Sequence, residues 1–235
     1  MLFRSLYNKT VILNVQNKIN LASTWRKNMS DFIKIIYDYK VEQVFSLAKE
    51  ILQDSILDIS IQEIKLTENF ENNTANLNAK CLELFNKKIT KKNIQANGVG
   101  LVDACFNAMI NAYENKYLSL ASISIADFVL NSHLEVGNQR KSDAYVTALL
   151  RIRNANGFEY NFQATSLSVS KSCVTVIQQC LAFFINAEES FKKLHFALKD
   201  AQERSRSDLV ERYKNQMSTL VNATSYENLI LKLKE

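Results

Sequence analysis

Gly98 and Gly100 flank Val99 directly before an amphipathic segment that begins at Leu101 and carries Asp103 in its first turn. Glycine permits the close backbone approach and the positive φ angles that tight turns use. The first turn of a helix presents unpaired N–H groups and a positive dipole potential, which favour a carboxylate. Together with the duplicated order of elements described below, the Gly-x-Gly turn predicts a ligand-binding regulatory domain more than a catalytic one. The plainer interpretation is a tight strand-to-helix turn that binds nothing.

Three strands are expected before this turn. Apolar and polar residues alternate over three runs, at 59–66, 75–81 and 89–96. The alternation slips at Gln62-Glu63, which predicts a β-bulge, and Asn86-Lys87 predicts a turn. From Leu101 to Tyr113 the apolar residues have helical spacing. The pattern is that of a strand-strand-strand-helix unit.

The same order of elements recurs about sixty residues later. Strands are predicted at 118–130, 144–152 and 158–164, and Asn156-Gly157 favours a hairpin turn with positive φ. A serine-rich turn, Ser166 to Ser172, leads into an apolar helix from Cys173 to about Leu198. The fold class expected is α+β, with duplicated β-β-β-α units forming antiparallel sheet and helices packed on one side.

Helical segments are expected on both sides of these units. Residues 31–54 have helical spacing behind the plausible caps Ser30 and Asp31. The residues after Lys199 are charged, with apolar side chains on one helical face. We therefore predict three regions: a small N-terminal subdomain, 1–55; a domain of two units, 56–198, divided into 56–115 and 117–198; and a C-terminal amphipathic helical extension, 199–235.

Charge and hydropathy exclude some partners. The net charge is +5, and its densest cluster is Lys87-Lys88 with Lys91-Lys92. These lysines suit a solvated sheet edge, and no nucleic-acid recognition motif accompanies the alternative of nucleic-acid contact. No apolar run reaches the length of a membrane span, and no signal peptide is recognised. We expect a cytoplasmic protein without nucleic-acid or membrane partners.

No catalytic centre, metal site or cofactor is expected. His133 and His195 are far apart, and there is no nucleophile elbow, P-loop or metal-spaced cluster. The cysteines form no CxxC, and each lies on an apolar face, which predicts buried free thiols at Cys81, Cys105, Cys173 and Cys180.

Residues from about Ile59 to Leu194 resemble the carboxy-terminal regulatory and dimerising domain of the 2-isopropylmalate synthase and citramalate synthase family. The family's first helix opens with Gly-x-Gly-Pro-Val-Asp-Ala, and here the stretch is Gly98-Val99-Gly100-Leu101-Val102-Asp103-Ala104. Ser168-Val169-Ser170 stands where a Gly-Val-Ser pattern is usual, and Arg140 to Thr147 where a Gly-Thr-x-Ala turn is usual. Val11 to Leu52 is similar to the linker subdomain that follows the family's catalytic barrel.

The resemblance implies a homodimer that binds a branched-chain amino acid, leucine or isoleucine, beside its helix entrances. The carboxylate would lie at the turns formed by Gly98, Gly100, Ser168 and Ser170. Candidate partners of the α-ammonium group are Asp103, Asp127 and Asp143. An apolar pocket would use Val99, Val102, Leu120, Ile123 and Ala144. Each has a plainer interpretation: Asp103 stabilises the helix dipole, the serines are N-caps, and the apolar residues form the core.

The synthases of this family carry a TIM barrel with a metal held by an acidic residue and an His-x-His pair, and this chain has neither the pair nor room for a barrel of about 250 residues. Two functions are therefore predicted: a regulatory and dimerisation module that acts on a catalytic synthase subunit, or a structural interaction module of the same fold without a ligand. A third is binding of an acidic surface or nucleic acid through the lysine hairpin.

Overall fold

A computed structural model describes residues 39–133 and 144–224. Its helices are α1 at residues 39–52, α2 at Leu101–Tyr113, α3 at Val169–Glu203 and α4 at Ser207–Val221. Its strands are β1 at Asp58–Asn69, β2 at Thr74–Phe85, β3 at Lys88–Gly98, β4 at Ser124–His133, β5 at Tyr145–Arg153 and β6 at Glu159–Ser166. The predicted α+β class is confirmed. The features expected before residue 39, within 134–143 and after residue 224 lie outside the described residues.

Each unit contributes one three-stranded antiparallel sheet, in the order β1-β2-β3 and β4-β5-β6. The turn between β2 and β3 has positive φ at Asn86 (50°) and Lys87 (60°), and the turn before β6 has Gly157 at 78°. Asparagine and glycine tolerate this left-handed region, so both predicted turns form.

The two sheets share a bulge at the same place. The β1–β2 register shifts between Ile61 and Glu63, as the slip at Gln62 predicts. The β4–β5 register shifts between Ile125 and Asp127, although no slip was expected there. The two units thus share this irregularity as well as the order of their strands.

One face of each sheet packs against the helices. Alternate residues of the central strands are buried, from Ala75 to Cys81 in β2 and from Val146 to Ile152 in β5. Tyr160 and Phe162 of β6 meet Phe183 and Phe184 of α3, with ring centroids 5.3 to 6.4 Å apart. Such tilted and edge-on aromatic pairs are worth about 0.5–1.5 kcal/mol each beyond burial of their area.

Helix α3 joins the two units. The Asn186 amide accepts the Leu57 N–H at 2.8 Å and donates to the Leu57 carbonyl at 2.9 Å. Gln178 donates to the carbonyl of Ile59 at 3.2 Å. Glu188 is fully buried, accepts the Ser119 N–H at 2.8 Å and pairs with Lys192 at 2.7 Å. Side chains of one helix therefore anchor the start of β1 and the connection between the units.

Two boundaries differ from the sequence prediction. Leu118–Ser122 is a short 3-10 helix, so the first strand of the second unit begins at Ser124. Helix α3 is longer than expected: it begins at Val169 and continues to Glu203. The charged residues directly after Lys199, which the sequence pattern assigns to a separate extension, form its last turn. In the parts of the chain that the structure describes, no helix combines the length and apolarity needed to cross a membrane.

Candidate functional site at the helix entrances

The α2 entrance begins where β3 ends at Gly98. A Cβ added to Gly98 would lie 2.4 Å from the backbone N of Ala104, so glycine is required there for close packing against the first helical turn. Gly100 is the N-cap, with φ −172°, and a Cβ there would meet only Glu68 Oε1 at 3.7 Å. Two reasons for glycine in this turn are expected from the sequence, close backbone approach and positive φ. Gly98 makes the close approach, but neither glycine has positive φ.

Backbone N–H groups remain unpaired at this entrance. The first helical hydrogen bond runs from the Ala104 N–H to the Gly100 carbonyl at 2.9 Å. Asp103 Oδ2 accepts the N–H of Val99 at 3.0 Å, and Gly100 has no side chain with which to cap the helix. Among the described residues nothing accepts the N–H groups of Leu101 and Val102. Unpaired N–H groups at a helix N-terminus are able to bind a carboxylate.

Glu68 supplies an opposite charge beside these donors. It is exposed at the end of β1 and pairs with buried Ala75, which places it on the helix-facing side of the sheet. Its Oε1 approaches Gly100, as the 3.7 Å distance to an added Cβ shows. Unpaired N–H groups and a neighbouring carboxylate together complement an α-amino acid zwitterion.

The sequence prediction missed Glu68, but a signal was present. Glu68 continues the inward phase of β1 after the half-buried Ile64 and Leu66, so a charged residue occupies a position where the strand pattern calls for an apolar one. The predicted ammonium partner at this entrance, Asp103, uses Oδ2 to hold the turn at Val99. Val102 is half-buried in the first turn of α2, and Val99 is 67% exposed.

The α3 entrance is filled by its own side chains. Ser168 is the N-cap and accepts the Lys171 N–H at 3.3 Å. The hydroxyls of Ser166 and Ser172 are 2.8 Å apart, and Ser172 donates to the Val146 carbonyl at 2.7 Å. Ser170 is exposed. Ser168 thus satisfies one N–H of the first helical turn, and Ser166 and Ser172 hold the turn to the Val146 carbonyl.

Strand register relates the two entrances position by position. Gly98 pairs with Ala75 in the first sheet, and Ser166 pairs with Val146 in the second. Ser166 is therefore the equivalent of Gly98. By the same register Ser132, opposite Val146, takes the place of Glu68. Among the described residues, the second entrance therefore has Ser132 in place of the carboxylate and a helix capped by Ser168.

An internal repeat in the sequence supports this equivalence. Asn93-Ile94-Gln95-Ala96 and Asn161-Phe162-Gln163-Ala164 precede the two entrances at the same distance. At the shared bulge, Glu63 pairs with Lys80 and Asp127 pairs with Arg151. The two units therefore match both in their buried strand residues and in the solvent-facing ion pairs at the bulge.

The remaining predicted site residues do not converge on the α2 entrance. Leu120 and Ile123 are buried in and just after the 3-10 helix, beyond the far end of α2, and its thirteen residues span about 18 Å. Asp127 lies on the solvent-facing side of its sheet, 3.3 Å from Arg151. Ala144 is half-buried immediately before β5, at the α3 entrance end of the second sheet. Asp143 lies outside the described residues.

Other chemistry-bearing groups are buried or dispersed. Burial raises the pKa of the Cys81 thiol to about 11 and that of Cys105 to about 12. Within residues 39–133 and 144–224, no group of three His, Cys, Asp or Glu side chains is placed to hold a metal ion. A cavity of about 540 Å³ lies on the solvent-facing side of the first sheet, beside the Glu63–Lys80 pair and Gln95.

A scan against models of protein families found no match for this chain, and a search of the curated proteins found none either.

Proposed function

We propose that the chain is a regulatory and dimerisation module that binds an α-amino acid with a branched apolar side chain at the α2 entrance. Two features found together carry the proposal. The N–H groups of Leu101 and Val102 are unpaired, and the Glu68 carboxylate lies next to Gly100. The N–H groups would hold the carboxylate of the ligand and Glu68 its ammonium group. Leu66 and Val102, both half-buried, would contact the side chain.

The resemblance to the regulatory domain of 2-isopropylmalate and citramalate synthases supports leucine or isoleucine as the effector. The module would act in the cytoplasm, as a homodimer, on a separate catalytic synthase subunit. It would do so by binding one of two conformations of the assembly more tightly than the other, because only differential affinity shifts such an equilibrium. The chain itself would carry out no reaction.

Thermal unfolding with and without millimolar leucine, isoleucine or valine tests the proposal. A ligand that binds only the folded chain stabilises it by about 2.7 kcal/mol at a hundredfold excess over Kd, so the midpoint should rise selectively. Glu68→Gln should abolish the rise, because the ammonium group loses its partner. Glu63→Gln is the matched control, since Glu63 lies on the same strand, faces solvent and pairs with Lys80.

Gly100→Ser provides the second variant. The extended backbone at Gly100 accommodates a side chain, and serine would cap α2 as Ser168 caps α3. The fold should become more stable by a few tenths of a kcal/mol, because the hydroxyl would accept the Asp103 N–H as Ser168 accepts that of Lys171. Binding should be lost, because the added side chain takes the space next to Glu68. Ser168→Gly is the control and should leave the midpoint shift with leucine unchanged. A shift that persists in Gly100→Ser would contradict binding at this entrance.

A structural interaction module of the same fold is the alternative, and exposed apolar side chains at the entrance ends of the sheets favour it. Phe70, in the turn between β1 and β2, is 84% exposed, and Leu167, before α3, is 60% exposed. Large apolar side chains exposed to this extent are found at sites of protein contact. Cooperative unfolding with no shift by any of the three amino acids would favour this function.

A further inference from the structure

Strand β4 is an edge strand. It pairs with β5 along one side, and no strand among the described residues pairs with its other side. An open edge presents a row of unpaired N–H and C=O groups, onto which another strand can add. Proteins usually protect such edges with charged side chains, proline or a bulge.

Strand β4 carries a bulge and Asp127 in its first half, but its second half is less protected than the other three edges. Strand β1 carries Glu63, Lys65 and Glu68, and β3 carries three lysines. Strand β6 begins with a charged residue, and its large apolar side chains are buried. From Phe128 to Ser132, β4 has no charged residue, while Val129 is 40% and Leu130 is 43% exposed on opposite faces.

We propose that β4 pairs antiparallel with β4 of a second copy of this chain, around a two-fold axis at Val129. In this register Val129 faces the partner's Val129 on the solvent-facing side. Phe128 faces the partner's Leu130 on the helix-facing side, where the equivalent β5 residues are buried. Asp127 faces the partner's Asn131, so no like charges meet.

The second copy is favoured over another occupant because the segment is complementary to itself. Apolar residues occupy the centre on both faces and polar residues the ends, so reversal of the strand reproduces the same order. The bulge after Ile125 interrupts the regular register and limits the paired segment to residues 127–131. The result is a continuous six-stranded sheet.

This inference rests on the proposed dimerisation and specifies where it occurs. A five-residue edge contact buries less area than the roughly 1,200–2,000 Å² of a standard interface, so the dimer should dissociate on dilution. The leucine site at α2 lies in the first unit and does not use β4. Pairing and binding can therefore fail independently.

Cysteine cross-linking tests the register in the 235-residue chain. In antiparallel strands directly opposed Cα atoms are about 4.5–5.5 Å apart, which is within disulfide reach. Val129→Cys should form a covalent dimer under mild oxidation. Lys65→Cys, at the equivalent position of β1, is the control and should stay monomeric on a denaturing gel. The native cysteines are at most 2% exposed and should not contribute.

Sedimentation over a range of concentrations supplies the second measurement. Val129→Lys should make the chain monomeric, because two ammonium groups would meet on the axis, with its unfolding midpoint little changed. The pairing is overturned if the wild-type chain is monomeric throughout, or if Val129→Lys still dimerises and Val129→Cys fails to cross-link. The leucine-induced midpoint shift of Val129→Lys, recorded in parallel, reports separately on the α2 site.

Discussion

Gly98 and Gly100 are two residues apart, but a side chain added at each would meet different neighbours. At Gly98 the Cα approaches the backbone of α2, whereas at Gly100 the Cα faces the carboxylate end of Glu68. The first glycine is therefore needed by the fold, and the second leaves a helix uncapped. This separation allows the proposed site to be altered without loss of the turn.

We predict opposite outcomes for alanine at these positions. Gly98→Ala places a Cβ 2.4 Å from the Ala104 N and should destabilise the fold by about 1–3 kcal/mol, because helix and strand must move apart. Gly100→Ala has only Glu68 Oε1 within 4 Å and should change stability little. Urea unfolding of both variants measures the difference. Equal midpoints for the two would contradict the close packing at Gly98.

The buried thiols predict a loss of stability at high pH. Burial raises the pKa of Cys105 to about 12 from 9.0, so the unfolded chain releases this proton at lower pH than the folded chain. This thiol should therefore leave stability unchanged below about pH 9 and lower it above that pH. At pH 10.5 the loss from this thiol is on the order of 2 kcal/mol.

Urea unfolding at pH 8.5 and 10.5 measures this loss. The free energy of unfolding of Cys105→Ala should differ less between the two pH values than that of the wild type, because one thiol with a raised pKa has been removed. The comparison is made within each variant, so the cavity left by alanine cancels. An unchanged difference would show that Cys105 does not contribute.

At the scale of elements, local patterns predicted most of the fold. Alternation located the strands, and the slip at Gln62 located the first bulge, because both depend on neighbours in sequence. The prediction failed at Leu118–Ser122, where apolar residues pack as a 3-10 helix and not as a strand. A short apolar run fits either structure until its tertiary contacts are known.

The candidate site was less predictable, because it depends on pairing between strands distant in sequence. Only the β1–β2 and β2–β3 registers bring Glu68 to Gly98 and Gly100. Asp127 has the chemistry of an ammonium partner, but its register places it on the solvent-facing side, beside Arg151. Residue type and spacing along the chain cannot distinguish these two outcomes.

The anchoring of β1 by α3 gives a prediction about elements. Asn186→Leu has similar volume but leaves the buried N–H and C=O of Leu57 without partners. Each unsatisfied group costs about 1–3 kcal/mol, so the free energy of unfolding should fall by on the order of 2–5 kcal/mol. Asn111→Leu, on the exposed side of α2, is the control and should change it by about 0.5 kcal/mol or less. Urea unfolding checks both, and equal losses would contradict the anchoring role of Asn186.

At the scale of the whole molecule, the two units have the same strand arrangement but differ at their helix entrances. The bulge, the outward ion pair and the strand register recur in both. Where the first unit has Gly100 and Glu68, the second has Ser168 and Ser132. The asymmetry predicts one effector per chain, and two per dimer.

The same equivalence predicts that a second site can be installed. Ser132→Glu, Ser168→Gly and Ser170→Val together give the α3 entrance the carboxylate, the uncapped helix and the apolar side chain of the α2 entrance. Titration calorimetry with leucine should then give close to two ligands per chain, compared with one for the wild type. The second site should be the weaker, because Ser166 and Ser172 still hold the turn to the Val146 carbonyl. The triple variant combined with Gly100→Ser should bind one ligand, at the new site alone. A well-folded triple variant that binds a single ligand would show that the zwitterion-complementary groups are insufficient outside the first unit.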